Sequence, residues 1–234
     1  EAKKIITVSN ATKNYVLSLG ADPEKVEVLY NGVDVERFRL LPKARISVRK
    51  KLGIPQEAIV AVTVRRLVYK NGIDTLLESA KIVIKKNAQV TYLVVGEGPD
   101  LDNIKSKVKQ LGIEKNFILT GYASDEDLPL YYNAADFSIL PSKSGEGLPL
   151  VGLEAMACGL PLLTTNVGGT GEIMEEGYGK IIPPDDSEAM ATATIDLANS
   201  EPAKLKGKLR QVMIERYSWE KNVDKLASIY EEII

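Results

Sequence analysis

FSILPSKSGEGLPLVGLEAMACGLPLLT, residues 137–164, is the stretch from which the fold can be read. It opens with a short apolar strand ending at Leu140. A loop containing Gly145, Glu146 and Gly147 follows, and Pro149 stands where a first helical residue is favoured. The helix then runs to Gly159, a residue suited to the left-handed turn that closes helices. A second apolar strand begins at once. Strand, glycine-bearing loop, helix, strand is the repeating unit of a parallel sheet covered by helices.

The same alternation continues on both sides of this unit. Short β-branched runs bounded by Gly, Pro, Asn or Asp predict strands over 5–8, 26–29, 59–64, 91–95, 117–119, 137–140, 160–164 and 179–182. Between them lie amphipathic helices. The clearest carries Ile73, Leu76, Leu77, Ala80 and Ile84, with Lys85 and Lys86 at its carboxyl end. Others are expected over 100–111, 125–134 and 150–158, and three more, over 187–199, 202–217 and 219–234, close the chain. The fold class is therefore α/β, with a doubly wound parallel sheet. After KVEVLYNG (25–32), the segment VDVERFRLLPKAR (33–45) has no clear period and contains Pro42, so it reads as a linker. Residues 1–38 are then a strand–helix–strand piece of something larger, and residues 39–234 a complete domain.

Composition narrows the function. The 234 residues are 44% hydrophobic and 26% charged, as in an ordinary soluble globular protein. The net charge of −2 makes a nucleic-acid partner unexpected. There is no histidine, which removes the commonest general base and metal ligand. The single cysteine, Cys158, rules out an internal disulfide and fits a reducing compartment, so a cytoplasmic location is expected. No run approaches the roughly 20 apolar residues that span a bilayer. The chain opens with Glu1 and shows no secretory signal, which suggests a trimmed piece of a longer protein.

In sheets of this kind ligands sit beyond the carboxyl ends of the strands, so the loops there carry the chemistry. The amides of Leu150, Val151 and Gly152 should point out of a helix start, a ready site for an anion, and Gly147 lets a ligand approach the backbone. Glu146 and Glu154 flank that site. Carboxylates cannot hold phosphate, but they accept hydrogen bonds from hydroxyls. A ligand with hydroxyls on both sides of a diphosphate is a nucleotide sugar. The bland alternative is that Glu154 complements the helix dipole and the glycines only make a turn. After the strand ending at Val64, Arg65, Arg66 and Lys70 precede a helix, where its dipole does not favour basic groups. A diphosphate leaving group would give them a role. The turn Gly96-Glu97-Gly98-Pro99 faces the same edge. It has Leu101 where a dinucleotide fingerprint needs its third glycine, which disfavours a dehydrogenase. Thr120-Gly121-Tyr122 follows another strand; packing and ligand contact are equally open for Tyr122. Gly168, Gly169 and Glu172 read as a turn and cap, Cys158 as core, and Trp219 as an anchor for the last helix. Tyr131 and Tyr132 fit a helix face better than a stacking platform.

The Glu146–Glu154 pair inside EGLPLVGLEAMACGLP resembles the signature of family 4 retaining glycosyltransferases, which have the GT-B fold. VSNATKNYVLSLG (8–20) and KVEVLYNGVDVERF (25–38) resemble the last strands of that family's N-terminal domain and the crossing into the second. VVGEGPDLDNIKSKVKQLGIEKNFILTGY (94–122), LPLYYNAADFSILPS (128–142), NVGGTGEI (166–173) and YSWEKNVDKLASIYEEI (217–233) resemble its Rossmann-like C-terminal domain. The family pattern Gly-Arg-Leu, three residues, Lys-Gly aligns with Arg66, Leu67 and Gly72; Arg65 replaces the glycine and Asn71 the lysine, so Lys70 is expected to supply the charge.

The resemblance implies transfer of a sugar from a nucleotide-diphosphate donor with retention and without an obligatory metal or cofactor. Glu154 would hold the ribose hydroxyls and Glu146 those of the donor sugar. Arg66 and Lys70 would neutralise the departing diphosphate beside Gly147, Leu148 and the amides of Leu150 and Val151. Gly121 and Tyr122 would lie beside the base, with Glu97 at the same cleft. The acceptor half, where many relatives keep a site histidine, is reduced here to residues 1–38. The chain alone is thus expected to bind donor weakly and to transfer negligibly. The UDP-, GDP- or ADP-linked identity of the donor stays open, as do dimerisation of this piece through its remnant and last helix and contact of the full protein with the cytoplasmic face of a membrane. Two alternatives also stand: another sugar-nucleotide enzyme on the same fold, such as a sugar-phosphate synthase or an epimerase, and a non-catalytic nucleotide-binding module.

Overall fold

The computed structural model describes residues 2–175 and 177–232. It opens with β1 (Ile5–Thr7), α1 (Asn10–Ser18) and β2 (Val26–Val28), and the two strands pair in parallel as a small sheet of their own. Next come α2 (Pro42–Lys51), β3 (Ile59–Val64), α3 (Ile73–Lys86), β4 (Val90–Val95), α4 (Leu101–Leu111), β5 (Phe117–Gly121), α5 (Leu128–Ala134), β6 (Phe137–Leu140), α6 (Leu150–Ala157), β7 (Leu162–Thr165) and β8 (Gly179–Ile182). Three helices close the chain: α7 (Ser187–Asn199), α8 (Lys206–Arg216) and α9 (Trp219–Glu231). Among the described residues, β3 to β8 form one parallel sheet in the order β5-β4-β3-β6-β7-β8. The order reverses direction between β3 and β6, and a crevice opens at such a switch point.

The sheet is buried on both faces, which is why its strands are continuous apolar runs rather than alternating ones. One face packs Val60, Val62, Leu93 and Leu140 against Tyr132 of α5 and Leu153 and Met156 of α6. The other packs Ala61, Tyr92, Val94 and Ile139 against Leu76, Leu77 and Ala80 of α3 and Met190 of α7.

The doubly wound sheet of the sequence reading is present, with shifts at element ends. The expected linker is shorter than 33–45, because Pro42 starts α2 at the position where its missing N–H costs nothing. Residues 125–127 are not helical: the Ser124 hydroxyl and carbonyl both accept from the Asp127 amide, which ties a turn there. Pro202–Leu205 forms a separate 3-10 turn before α8. The last two positions of the helix expected over 219–234 lie outside the described residues.

Residues 1–38 dock on the larger sheet through specific contacts. Ser9 caps α1 by accepting from the Thr12 amide at 3.1 Å. Glu172 comes from the loop after β7 and accepts from the free amides of Asn10 and Ala11 at 2.7 and 2.8 Å. It also accepts from the Tyr30 hydroxyl at 3.1 Å. On the far side, α9 reaches back, with Lys225 donating to the Val28 carbonyl at 3.0 Å and Asn222 donating to that of Tyr30.

Glu172→Gln is expected to cost about 1 kcal/mol at pH 7, the usual worth of a helix cap. Partial burial alone would raise the Glu172 pKa; the Asn10 and Ala11 amides, the Asn10 side chain and the Tyr30 hydroxyl outweigh this and lower it. A lowered folded-state pKa stabilises above the unfolded carboxylate value, near about 4.3. That contribution is lost as pH falls through the folded value. Urea midpoints of wild type and variant should therefore differ at pH 7 and converge as the pH falls through the lowered folded-state value; a constant gap would show that charge is not what matters.

Candidate functional site

The loops at the carboxyl ends of β3, β4 and β5 and the start of α6 converge on one cleft. Its volume is about 320 Å³, and Val64, Arg65, Arg66, Gly96, Glu97, Tyr122 and Val151 are among its walls. That size is at the low end for small-molecule pockets. The walls interlock: Leu67 N–H donates to the Glu97 carbonyl at 2.9 Å, and Gly96 N–H to the Gly121 carbonyl at 2.8 Å. Tyr122 is 70% exposed at the rim, so it is not core packing.

Gly72 must be glycine. Its φ is +72°, and a Cβ there would come within 1.8 Å of the Pro141 carbonyl oxygen. That close approach brings the loop after β3 against the loop after β6. Lys143 N–H then donates to the Lys70 carbonyl at 2.8 Å, and Lys143 Nζ bridges Asp74 and Asp185 at 2.8 and 2.6 Å. The loop that carries Glu146 is thereby fixed from below.

Arg65 lies at the floor of the cleft. Its guanidinium donates to Glu146 Oε1 and Ser142 Oγ, and to Asn71 Oδ1 at 3.1 Å. The Arg65 side chain is 6% exposed and that of Glu146 is 11% exposed. Asn71 in turn donates to the Arg66 carbonyl at 2.7 Å. The arginine that replaces the family glycine thus touches the asparagine that replaces the family lysine. Arg66 and Lys70 behave differently. Both are exposed, and neither side chain makes a hydrogen bond or ion pair among the described residues. Lys70 Nζ stands 3.5 Å from where a Cβ of Gly145 would be, beside the same loop.

The start of α6 provides two amides rather than three. Gly152 N–H turns back onto the Pro149 carbonyl at 3.1 Å, while Leu150 and Val151 have no acceptor within the helix. Val151 lines the cleft and Leu150 is exposed. Leu148 is buried, and its carbonyl accepts from Asn31 at 2.9 Å. Gly147 serves a close approach by the protein itself, since a Cβ there would stand 3.0 Å from Val8 Cγ2. One turn into α6, Glu154 Oε2 accepts from the Tyr132 hydroxyl at 2.9 Å. Burial, the largest effect, raises the Glu154 pKa; the Tyr132 hydroxyl and Arg37 oppose the rise.

Of the expected site residues, Arg66, Glu97, Tyr122 and Val151 line the cleft, Glu146 reaches its wall through Arg65, Gly121 is tied to Gly96 behind it, Lys70 stands beside Gly145, Glu154 is held by Tyr132, and Leu148 is set into the core. Three contributors lie outside the site residues that the sequence selects. In the sequence Arg65 is one of several basic groups, although its departure from the family glycine is a usable signal. Tyr132 fits a helix face there. Arg37, in the linker, donates to the Asp125 carbonyl across the mouth of the cleft. No spacing along the chain announces that last contact.

The fold is that of a Rossmann-like domain of the GT-B type. The family model for glycosyl transferases group 1 matches residues 44–217, and that for glycosyltransferase family 4 matches residues 1–37. The chain belongs to the group 1 glycosyltransferases. It is 29% identical to an uncharacterized glycosyltransferase of Methanocaldococcus jannaschii over 99% of this chain and 60% of that protein. It is also 29% identical to the GDP-mannose-dependent alpha-(1-6)-phosphatidylinositol monomannoside mannosyltransferase of Mycolicibacterium smegmatis, over 98% of this chain and 62% of that protein. Among solved structures, the Anabaena protein HepE in complex with UDP superposes with a TM-score of 0.90 at 23% identity, covering 99% of this chain and 64% of that one. At that identity the likeness speaks for the fold. The chain spans 60% and 62% of the length of the two relatives. No helix among the described residues is long and apolar enough to cross a membrane.

Proposed function

We propose that this chain is the donor-binding part of a retaining glycosyltransferase, which moves a sugar from a nucleoside-diphosphate carrier to an acceptor held by a preceding domain. The observation that carries the reading is the pairing of opposites on the loop after β3 and on the loop and helix that follow β6. Among the described residues Arg66 and Lys70 are cations without acidic partners, and the amides of Leu150 and Val151 have no acceptor in their helix. Glu146 and Glu154 each have one oxygen tied by the protein and one left over. Cations and amides suit a diphosphate, and fixed carboxylates suit hydroxyls on either side of it. The diphosphate leaves as an anion, so Arg66, Lys70 and the helix amides stabilise the charge that develops, without an obligatory metal. Glu154 accepts from the ribose and Glu146 from the sugar, which is a positioning task.

Residues 39–234 form the donor domain in this reading, and residues 1–38 the end of the acceptor domain. Assembly of the site needs both halves, so the 234-residue chain by itself binds donor and transfers negligibly. A GDP-mannose-dependent relative and a fold neighbour holding UDP support testing more than one base.

The test is a thermal-shift titration of this chain with UDP, GDP, ADP and their sugar conjugates. A ligand at about 100 times its dissociation constant adds about 2.7 kcal/mol of stability. One nucleotide is expected to raise the melting temperature, with Glu154→Ala and Arg66→Ala both abolishing the rise. A rise that survives both substitutions sinks this site as the donor pocket.

A further inference from the structure

Tyr132 is completely buried, yet its hydroxyl is spent on Glu154. The ring comes from α5 and is held edge-on to Phe38 of the linker, with centroids 6.0 Å apart at 71°. The next residue, Asn133, fixes α5 by donating to the carbonyls of Arg39 and Pro129, each at 2.8 Å. The hydroxyl therefore has a set position. It meets Glu154 Oε2 at 2.9 Å and the Val151 carbonyl at 3.2 Å. That carbonyl already faces the Ala155 amide in the helix ladder, and a charged acceptor makes the stronger bond. Glu154 Oε1 has no hydrogen-bond partner among the described residues, yet it is not one of the sealed, unpartnered polar atoms. It keeps access to solvent. One oxygen is thus pinned by a rigid buried donor, and the other remains open.

We propose that Tyr132 is a positioning residue for the donor, holding Glu154 Oε2 so that Oε1 is presented to the ribose hydroxyls of a nucleoside diphosphate. The inference rests on the reading of Glu154 as the ribose acceptor. A purely architectural tyrosine would need only the Val151 carbonyl, and its loss would leave the carboxylate where it is. The other ionisable groups acting on Glu154 are Arg37 from the linker, Asp125 from the loop before α5, and Cys158 at the end of α6. None of them makes a hydrogen bond to the carboxylate. Among the described residues, Tyr132 alone donates a hydrogen bond to it.

The experiment compares wild type with Tyr132→Phe, which keeps the ring and removes one oxygen. Carboxyl-carbon NMR of the 234-residue chain follows the titration of Glu154, and calorimetry measures binding of UDP, GDP and ADP against their 2′-deoxy forms. The expected result in the variant is a Glu154 titration moved to higher pH, since a hydrogen bond to the charged form is lost. About tenfold weaker binding of the preferred ribonucleotide should accompany it, with affinity for the deoxy form little changed. An unchanged Glu154 titration, or a ribose preference kept in the variant, overturns the proposal. Should wild type itself fail to prefer the ribo form, the ribose role of Glu154 falls. The NMR titration then still decides whether Tyr132 orients the carboxylate.

Discussion

Alanine at position 65 is expected to slow transfer by the proposed full-length enzyme by about 10²-fold, the order of loss when a positioning group is displaced by about 1 Å. The same change should destabilise this chain by about 3 kcal/mol, the lower end for breaking a buried ion pair. Both effects have one source. Glu146 is almost wholly covered, and Arg65 supplies its charged partner. Without the guanidinium the carboxylate keeps only Ser142, at 3.1 Å, and loses its compensating charge. The sugar-positioning role proposed for Glu146 is lost with its partner. Lysine at position 65 keeps the charge but cannot reach Ser142, Asn71 and Glu146 together, so it should recover only part of either effect. Urea denaturation of wild type, Arg65→Ala, Arg65→Lys and the Arg65→Ala/Glu146→Gln double variant checks the stability arm. The double variant should recover much of the loss, because the uncompensated charge is then gone. Equal melting of Arg65→Ala and wild type would remove the pair from any account of the site.

Arg49→Leu should cost about 3–5 kcal/mol, although Arg49 lies away from the cleft. Its side chain is fully buried and is used along its whole length. It donates to the carbonyls of Ala134, Gln56 and Ala58 at 2.8, 2.8 and 2.7 Å, and to Asp136 Oδ2 at 2.8 Å. Asp136 also accepts from the Val60 amide at 2.8 Å. One guanidinium thereby ties α2 to the loop before β3 and to the start of β6. Leucine fills part of the volume but leaves three carbonyls and a carboxylate short of a donor. Arg45 pairs with the same aspartate at 2.9 Å but is 30% exposed, so Arg45→Leu should cost no more than about 1 kcal/mol. Urea midpoints of the two variants give the comparison. Similar losses would mean that charge near Asp136, rather than the buried fan of hydrogen bonds, holds this corner.

Much of this protein follows from its sequence alone, because local physics dictates it. The strands 59–64, 137–140 and 179–182 have the predicted bounds. They are short β-branched runs between breakers, and nothing distant is needed to define them. The loop–helix unit around Glu146 and Glu154 is equally local: proline at the helix start, glycine after its end, apolar strands on both sides. Membership of the glycosyltransferase family follows from the order of such units. The element ends that shifted did so for equally local reasons that periodicity does not register, such as the Ser124–Asp127 turn and the first-turn proline of α2.

Only the tertiary structure decided which side chains are spent and which are free. Arg65 and Arg66 are adjacent and chemically alike. Both line the cleft, but Arg65 is folded under against Glu146 at its floor, while Arg66 stays exposed. Tyr132 and Glu154 lie 22 positions apart on different helices, and their contact depends on how α5 and α6 cross the same face of the sheet. Glu172 and Asn10 are separated by 162 positions, and the docking of residues 1–38 turns on that contact. Burial and hydrogen-bond partners are properties of the packed molecule, and the pairing that gives each carboxylate one held oxygen and one open oxygen exists only once the sheet has brought those loops together.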